Sequence, residues 1–255
     1  MNMLQAVVIG VVQGITEWFP VSSSAHLVFA EKVLGIKTSG VALEVVLHLG
    51  TLVAAVLFYR AQWARILLRP FDPGARRALG LLVLATIPAA AAWLLAHDWI
   101  SERFHDPRLA AYGLVACGLF LAVAGRAGTG SAEIGWGRAL LIGIAQAFAL
   151  PPGISRSGMT VGAGLLAGVK RERAVEFAFM MAVPAILGAS LVQLREIGSA
   201  TEGFGAGPLC IAAAAAFVIG YAAIGILQKA VVAGRISWFG YYCIAAGAAW
   251  ALWLR

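Results

Sequence analysis

The chain has 255 residues, of which 61% are hydrophobic and only 12% are charged, and its mean hydropathy is +0.88. A soluble domain carries about 25% charged residues, so this composition excludes an ordinary water-soluble fold. The net charge of +7 comes without a basic patch interleaved with aromatic residues, and we therefore expect basic cytoplasmic loops and no nucleic-acid partner. The sequence predicts an integral membrane protein.

The first apolar run, Met3–Ile15, is too short to cross a bilayer, because a spanning helix needs roughly 17–25 residues. Runs of this length are typical of re-entrant or buried segments. Pro20 interrupts the run, and Ser24–Leu34 resumes as a second short helix. The sequence therefore predicts a helical hairpin that dips into the bilayer and leaves on the side from which it entered.

Six later runs are long enough to cross a bilayer. They are Leu43–Tyr59, Ala78–Ala96, Leu109–Gly125, Ala174–Leu194, Leu209–Gln228 and Ile236–Leu254. A second interrupted segment lies between the third and the fourth run, where Pro151, Pro152 and Gly153 separate Ala139–Leu150 from Ser157–Val169. The fold that we expect is an all-α polytopic membrane protein with about six transmembrane helices and two re-entrant helical hairpins.

The two interrupted segments match each other at a constant offset of 133 residues, which pairs Ser22 with Ser155. Each half of the chain combines one hairpin with three spans, and an odd number of spans inverts the second copy. Residues 1–126 and 134–255 are therefore predicted to form an inverted-topology repeat within a single membrane domain, residues 1–255. Repeats of this kind commonly build a site from broken helices near the middle of the bilayer.

Basic residues crowd the segment that follows the first predicted span. They are Arg60, Arg65, Arg69, Arg76 and Arg77. Short loops rich in Lys and Arg stay in the cytoplasm, so we expect this loop to be cytoplasmic. Alternation along the spans then predicts that the first hairpin enters from the outer face of the membrane and the second from the cytoplasmic face.

Serines follow each break, where a new helix would begin. They are Ser22 and Ser24 in the first hairpin and Ser155 and Ser157 in the second. Serine is a favoured helix N-cap, and the free backbone N–H groups of a helix start attract anions. Two helix starts that face each other predict a phosphate-sized cradle lined by these serines.

Arg156 lies between the two serines of the second hairpin. A cation at bilayer depth costs about 2.5–3.5 kcal/mol on insertion scales, so it needs a partner there. Its planar guanidinium matches phosphate oxygens in a bidentate geometry. The first hairpin supplies a carboxylate, Glu17, and an imidazole that titrates near neutrality, His26. We expect these three side chains to form one polar site for phosphoryl transfer on a lipid-borne phosphate.

Two routes remain open for the reaction itself. A serine hydroxyl activated by His26 attacks phosphorus, or His26 activates a water molecule directly. A divalent cation held by Glu17 and the substrate would neutralise charge on a diphosphate. We interpret Gln13 and Gln146, which the offset also pairs, as supports that hold the hairpins together.

Two motifs carry a resemblance to a known family. Gln13-Gly-x-Thr-Glu-x-x-Pro-Val-Ser-Ser-Ser-x-His26 and Pro152-Gly-x-Ser-Arg-Ser-Gly158 resemble the motifs of the BacA/UppP undecaprenyl-pyrophosphate phosphatases. The resemblance extends over essentially the whole chain, and both motifs are long and specific. It implies removal of the terminal phosphate from undecaprenyl pyrophosphate, which recycles the lipid carrier for cell-wall synthesis and confers bacitracin resistance.

The resemblance also implies residue roles and a location. The catalytic positions fall on Glu17, Ser23, His26 and Arg156. The site would open to the outer, periplasmic face of the bacterial inner membrane and use a divalent cation, Mg²⁺ or Ca²⁺. Many family members have a second glutamate where this chain has Gln13, whose carbonyl oxygen can still bind a hard cation.

Competing interpretations concern both the function and a second polar pair. Inverted repeats with broken helices are also transporter architecture, so the alternative function is a polyprenyl-phosphate flippase or transporter. Glu44 and His48 lie one helical turn apart, but this spacing alone is weak evidence for a metal site, and we interpret them as a helix-packing pair. The sequence leaves the oligomeric state, monomer or homodimer, open.

Overall fold

A computed structural model of the protein describes residues 1–36, 41–103, 106–196 and 205–254, and every regular segment in this part of the chain is α-helical. The helices are α1 (Met3–Trp18), α2 (Ser23–Leu34), α3 (Val41–Phe58), α4 (Arg60–Leu68), α5 (Pro73–Arg103), α6 (Pro107–Ala124), α7 (Trp136–Ala147), α8 (Arg156–Leu166), α9 (Arg171–Glu196), α10 (Ala206–Val232) and α11 (Ile236–Trp253). The prediction of an all-α polytopic fold is confirmed.

Four helices, α5, α6, α9 and α10, are long and apolar enough to cross a membrane. The pair α3 and α4 meets the same criteria together but is bent by 79°, so the described residues contain four or five candidate spans. The six predicted spans all coincide with helices, namely α3, α5, α6, α9, α10 and α11. The total of six transmembrane helices stays a prediction.

The first break follows α1, which ends at Trp18, and α2 begins at Ser23 after Pro20. The second break separates α7 from α8 at the sequence Pro151-Pro152-Gly153. Gly153 has a φ of +88°, a left-handed conformation that glycine adopts without steric cost. A Cβ atom at this position would collide with the backbone of Ala110 in α6. The second turn therefore lies directly against α6.

Helix α4 corrects the sequence-based interpretation of its segment as a cytoplasmic loop. No proline or glycine interrupts Arg60–Leu68, and Trp63 and Ile66 lie three residues apart on one face, where they pack against the core. Its other apolar side chains, Leu67 and Leu68, are exposed. Two arginines and a glutamine among its nine residues make the segment too polar to be recognised by its hydropathy.

Close helix contacts bring the two halves of the chain together. Helix α1 packs on α10, α7 on α5, α3 on both α9 and α10, and α6 on α11. Glycines allow the closest approaches: a Cβ atom at Gly118 would lie 2.6 Å from the carbonyl oxygen of Gly240, and one at Gly240 would lie 2.7 Å from that of Gly118. Small residues serve this purpose in membrane helix pairs. The contacts fix α6 and α11 as one unit beside the two turns.

Candidate active site

Glu17, in the last turn of α1, is the centre of the candidate site. Its side chain is only 4% exposed, so the carboxylate depends on protein donors for its hydrogen bonds. Gln13 lies one turn earlier on the same face, and its Nε2 donates to Glu17 Oε2 at 3.1 Å. Ser23, the first residue of α2, donates its hydroxyl to the same oxygen at 2.7 Å. Ser23 and Glu17 of the first hairpin are thus hydrogen-bonded to each other.

Arg156, the first residue of α8, reaches this group from the second hairpin. Its Nη2 donates to Glu17 Oε1 in an ion pair, and its Nη1 donates to the carbonyl oxygen of Ala182 in α9 at 3.5 Å. The guanidinium is 23% exposed and the carboxylate is nearly enclosed. The structure therefore brings Glu17 and Arg156 together from positions 139 residues apart.

His26 lies one turn into α2 but does not hydrogen-bond to Ser23, Glu17 or Arg156. Its Nδ1 lies 2.8 Å from the carbonyl oxygen of Ser22, and its Nε2 lies 2.8 Å from the hydroxyl of Tyr242 in α11. The hypothesis from the sequence, that His26 activates a serine hydroxyl, requires a contact that this arrangement does not contain. An i to i−4 contact along α2 turns the imidazole towards Ser22, which leaves Glu17 as the acceptor of the Ser23 hydroxyl.

The candidate phosphate-binding serines form two pairs, one at each helix start. Ser22 Oγ lies 3.1 Å from Ser24 Oγ, and Ser155 Oγ lies 3.0 Å from Ser157 Oγ. The pairs meet through the first turn, where Ser157 Oγ donates to the carbonyl oxygen of Phe19 at 3.2 Å. The start of α8 therefore lies against the turn between α1 and α2.

The two helix starts differ in their capping. Ser155 caps α8, since its Oγ accepts from the N–H of Gly158 at 3.2 Å. Ser22 makes no such bond to α2, and it is the only non-glycine residue of the described chain with a positive φ, +66°. A strained residue of this kind costs about 1–3 kcal/mol and is found most often at functional sites. The start of α2 is left without its side-chain cap.

The glutamines do not hold the hairpins together as we expected. Gln13 bonds within its own helix, to Glu17. Gln146 is buried, and neither its Nε2 nor its Oε1 has a hydrogen-bond partner in the part of the chain that the structure describes. Gln13 therefore supports the carboxylate, and Gln146 has no equivalent contact.

Sequence reasoning missed two residues of the site. His48 was interpreted as half of a packing pair with Glu44, yet its Nε2 lies 3.6 Å from Glu17 Oε2. A polar residue inside an apolar span was the available signal, and it did not specify the partner. Tyr242, the second missed residue, lies in an aromatic stretch near the end of the chain where nothing in the sequence distinguishes it from Tyr241.

The fit of a divalent cation rests on few protein ligands. Among the described residues, no group of three or more His, Cys, Asp and Glu side chains could hold a metal ion. Glu17 is accompanied by the His48 imidazole and by Gln13, whose buried Oε1 has no hydrogen-bond partner. This donor set fits a cation that takes its remaining ligands from substrate phosphates and water, as Mg²⁺ commonly does.

Comparisons with known proteins agree with the motifs. A family model described as bacitracin resistance protein BacA matches residues 6–249. The chain is 40% identical over 253 residues to the undecaprenyl-diphosphatase of Rhodopirellula baltica, which covers 96% of both proteins. It is also 40% identical over 271 residues to the undecaprenyl-diphosphatase of Rubrobacter xylanophilus, covering 97% of each, and 38% identical to that of a Nocardioides species, covering 97% of this chain and 95% of the relative.

Proposed function

The chain belongs to the bacitracin resistance protein BacA family, and on that basis we propose that it is an undecaprenyl-diphosphatase. It hydrolyses undecaprenyl pyrophosphate to undecaprenyl phosphate and inorganic phosphate. The reaction recycles the lipid carrier for cell-wall synthesis and confers bacitracin resistance. The flippase alternative finds no support in these relatives, which are named for hydrolysis.

One observation carries the assignment of the site: a continuous chain of hydrogen bonds from Ser23 through Glu17 to Arg156. It joins a hydroxyl, a carboxylate that accepts the hydrogen bond of this hydroxyl, and a guanidinium whose geometry matches phosphate oxygens. Ser23 and Arg156 are partly exposed, whereas Glu17 is buried behind them. A phosphate that enters this site therefore meets the hydroxyl and the guanidinium first.

The first step proposed is attack by Ser23 on the terminal phosphorus. Glu17 takes the proton of the hydroxyl, since its Oε2 already accepts that hydrogen bond at 2.7 Å. Arg156 binds the phosphoryl oxygens and offsets the charge that they carry in the transition state. The bond between the terminal phosphorus and the bridging oxygen breaks, undecaprenyl phosphate leaves, and the phosphoryl group remains on Ser23.

The second step is hydrolysis of the phosphoserine. Water attacks the phosphorus, the bond to Ser23 Oγ breaks, and inorganic phosphate is released. We assign His26 to proton exchange with this water or with the leaving group, because it is the titratable imidazole of the first hairpin. The direct route, in which His26 activates water without a covalent intermediate, is distinguished by the fate of Ser23→Ala.

A divalent cation, Mg²⁺ or Ca²⁺, would be held by Glu17, with the orphaned Gln13 Oε1 as a neutral oxygen ligand. When bound, it supplies positive charge for the diphosphate oxygens. Gln13 also keeps its Nε2 on Glu17, which orients the carboxylate with or without the ion.

The inverted-topology repeat, with residues 1–126 and 134–255 as its halves and two re-entrant hairpins, is part of the proposal. The offset of 133 residues relates five helix pairs: α1 with α7, α2 with α8, α3 with α9, α5 with α10 and α6 with α11. If the halves are related by a repeat, each contact should recur between the partner helices. The α1–α10 contact then corresponds to α7–α5, and the α3–α10 contact corresponds to α9–α5, while α6–α11 and α3–α9 each correspond to themselves. All of these contacts are present, which supports the repeat and its six spans.

We further propose that the site opens to the outer face of the bacterial inner membrane. His48, beside Glu17, lies in the first half of α3, and α3 leads away from the site to the basic helix α4. Basic segments next to spans remain in the cytoplasm. The Glu17 end of α3 then lies towards the periplasm, where the pyrophosphate group is accessible.

Release of inorganic phosphate from undecaprenyl or farnesyl pyrophosphate by the purified protein, with Mg²⁺ or Ca²⁺ present, tests the function. We expect turnover by the natural chain and none by Arg156→Ala. Transport of a polyprenyl phosphate across vesicles without phosphate release would overturn the assignment in favour of the flippase.

A further inference from the structure

Tyr242 in α11 contacts His26 although 216 residues separate them. Its hydroxyl lies 2.8 Å from His26 Nε2, and the two rings stack with centroids 5.8 Å apart and an interplanar angle of 16°. The reaction proposed above gives Tyr242 no role. It is nonetheless the one side chain that hydrogen-bonds to this imidazole within the described part of the chain.

The two hydrogen bonds of His26 determine its tautomer. The carbonyl oxygen of Ser22 can only accept, so Nδ1 must carry a proton and donate it at 2.8 Å. In the neutral ring Nε2 then has the lone pair, and it accepts from the hydroxyl of Tyr242 at 2.8 Å. The nitrogen that a histidine uses is set by the hydrogen bond of the other one. Ser22 therefore fixes the tautomer, and Tyr242 fixes the direction in which the Nε2 lone pair points.

We propose that Tyr242 is a positioning residue that holds the imidazole of His26 in its working orientation by donating to Nε2. The inference rests on the proposed function, in which His26 serves the phosphatase reaction. Tyr242 acts through His26 and hydrogen-bonds to neither Ser23 nor Glu17. Without its hydroxyl, Nε2 loses its hydrogen-bond donor, and only the Ser22 carbonyl and the aromatic contacts hold the ring.

The surroundings of the pair show why Tyr242 can hold this position. Helix α11 is fixed on α6 by the close contact of Gly240 with Gly118, two residues before Tyr242. Trp250 in α11 packs edge-on against His26 with a centroid distance of 5.0 Å, and it also contacts Phe29 at 3.7 Å. The aromatic rings therefore restrain the plane of the imidazole, while the Tyr242 hydroxyl holds its Nε2 edge.

Tyr242→Phe tests the inference because it keeps the ring and removes only the hydroxyl, and Tyr241→Phe is its matched control. Loss of one such hydrogen bond should lower kcat roughly tenfold and leave KM within about twofold. Tyr241→Phe should retain the natural kcat. In a His26→Gln background, Tyr242→Phe should cause no further loss. A tenfold loss in that background as well would mean that Tyr242 acts independently of His26 and would overturn the proposal.

Nitrogen NMR of the protein with ¹⁵N-labelled histidine gives a readout that does not depend on activity. The chain has four histidines, so the signal of His26 is identified by its disappearance in His26→Gln. We expect the Nδ1–H tautomer in the natural chain, in Tyr241→Phe and in Tyr242→Phe, because the Ser22 carbonyl fixes it, and a changed Nε2 resonance in Tyr242→Phe alone, because Nε2 loses its hydrogen-bond donor. An unchanged Nε2 resonance in Tyr242→Phe would refute the positioning role. If the natural chain shows this dependence but releases no phosphate, the proposed function fails and the His26–Tyr242 contact stands.

Discussion

The two helical hairpins, α1–α2 and α7–α8, share a layout but not a chemistry. In the first, Gln13 and Ser23 donate to Glu17, and the N-cap residue Ser22 is strained and leaves α2 uncapped. The second has Leu150 at the position that the offset assigns to Glu17, and the glutamine equivalent to Gln13 has no hydrogen-bond partner among the described residues. In the proposed reaction, one hairpin holds the groups that move protons, whereas the other contributes a single cation.

This difference teaches that the proposed repeat supplies a frame, and that the candidate site arises where equivalent positions of the halves carry different chemistry. The offset assigns Arg156 to the same place as Ser23, at the first residue of the second helix in each hairpin. A hydroxyl and a guanidinium therefore approach Glu17 from equivalent positions. The substitutions below test this division between the hairpins.

The largest effect is expected from breaking the ion pair that joins the hairpins. Glu17→Ala and Arg156→Ala should each lower kcat/KM by about 10³-fold or more, because each removes a group that interacts with the transition state. Arg156→Ala should also cost up to about 3–5 kcal/mol of stability, since it leaves the Glu17 carboxylate buried without its cation. Glu17→Ala should cost less, because the partly exposed guanidinium can reach water.

Phosphate release and thermal unfolding in detergent measure the two effects. Arg173→Ala is the matched control, because Arg173 pairs with Glu176 in an exposed salt bridge that contributes about 1 kcal/mol or less. Turnover at the natural rate in either ion-pair variant would show that the substituted residue takes no part in the reaction.

The second largest difference in activity is expected between variants of the serines in the two hairpins. Ser23→Ala should lower kcat by about 10²–10⁴-fold if its hydroxyl attacks phosphorus. Ser157→Ala should lower it only several-fold, because Ser157 bonds to Ser155 and to the carbonyl of Phe19, not to Glu17. Radiolabel from the terminal phosphate should be trapped on the natural chain by acid quench and be absent from Ser23→Ala. Equal activity losses in both variants and no trapped label would favour direct attack by water.

Matched substitutions of the glutamines should have opposite results. Gln13→Leu should reduce turnover about tenfold, since it removes a hydrogen bond to the Glu17 carboxylate. Gln146→Leu should preserve turnover and raise the free energy of unfolding by about 1 kcal/mol, because two buried polar atoms without partners are replaced by apolar ones. A loss of activity in Gln146→Leu comparable to that in Gln13→Leu would mean that both hairpins support the reaction.

The smallest effects concern the two N-cap serines. Ser22→Gly should stabilise the protein by about 1 kcal/mol, since glycine adopts a positive φ without strain. Ser155→Ala should destabilise it by about 1 kcal/mol through loss of the cap on Gly158. Thermal unfolding of both variants measures the contrast, and a stability decrease in Ser22→Gly would show that Ser22 is not strained.

Most helices could be predicted from the sequence, because apolar run length and proline position determine them in a membrane protein. The exceptions have local causes. Helix α4 is too polar for hydropathy to detect, and α5 continues to Arg103 through an irregular residue, Ala96, at which the predicted span ends. The helices of the structure thus extend the predicted elements more often than they contradict them.

Of the residues at the candidate site, the sequence predicted those that lie in the two motifs. Glu17, Ser23 and Arg156 lie in the two motifs, and the structure brings them together. His48 and Tyr242 lie outside both motifs, and their contacts with Glu17 and His26 depend on how α3 and α11 pack. A single sequence does not specify such tertiary neighbours.

In the proposed reaction, the ion pair between Glu17 and Arg156 makes substrate binding an exchange. A phosphate that takes the Arg156 nitrogen bonded to Glu17 competes with an anion of the protein itself. Docking and uncoupling of the carboxylate are then a single event. The affinity measured for a phosphate is therefore lower than the strength of its contact with the guanidinium, by the free energy of the ion pair that it replaces.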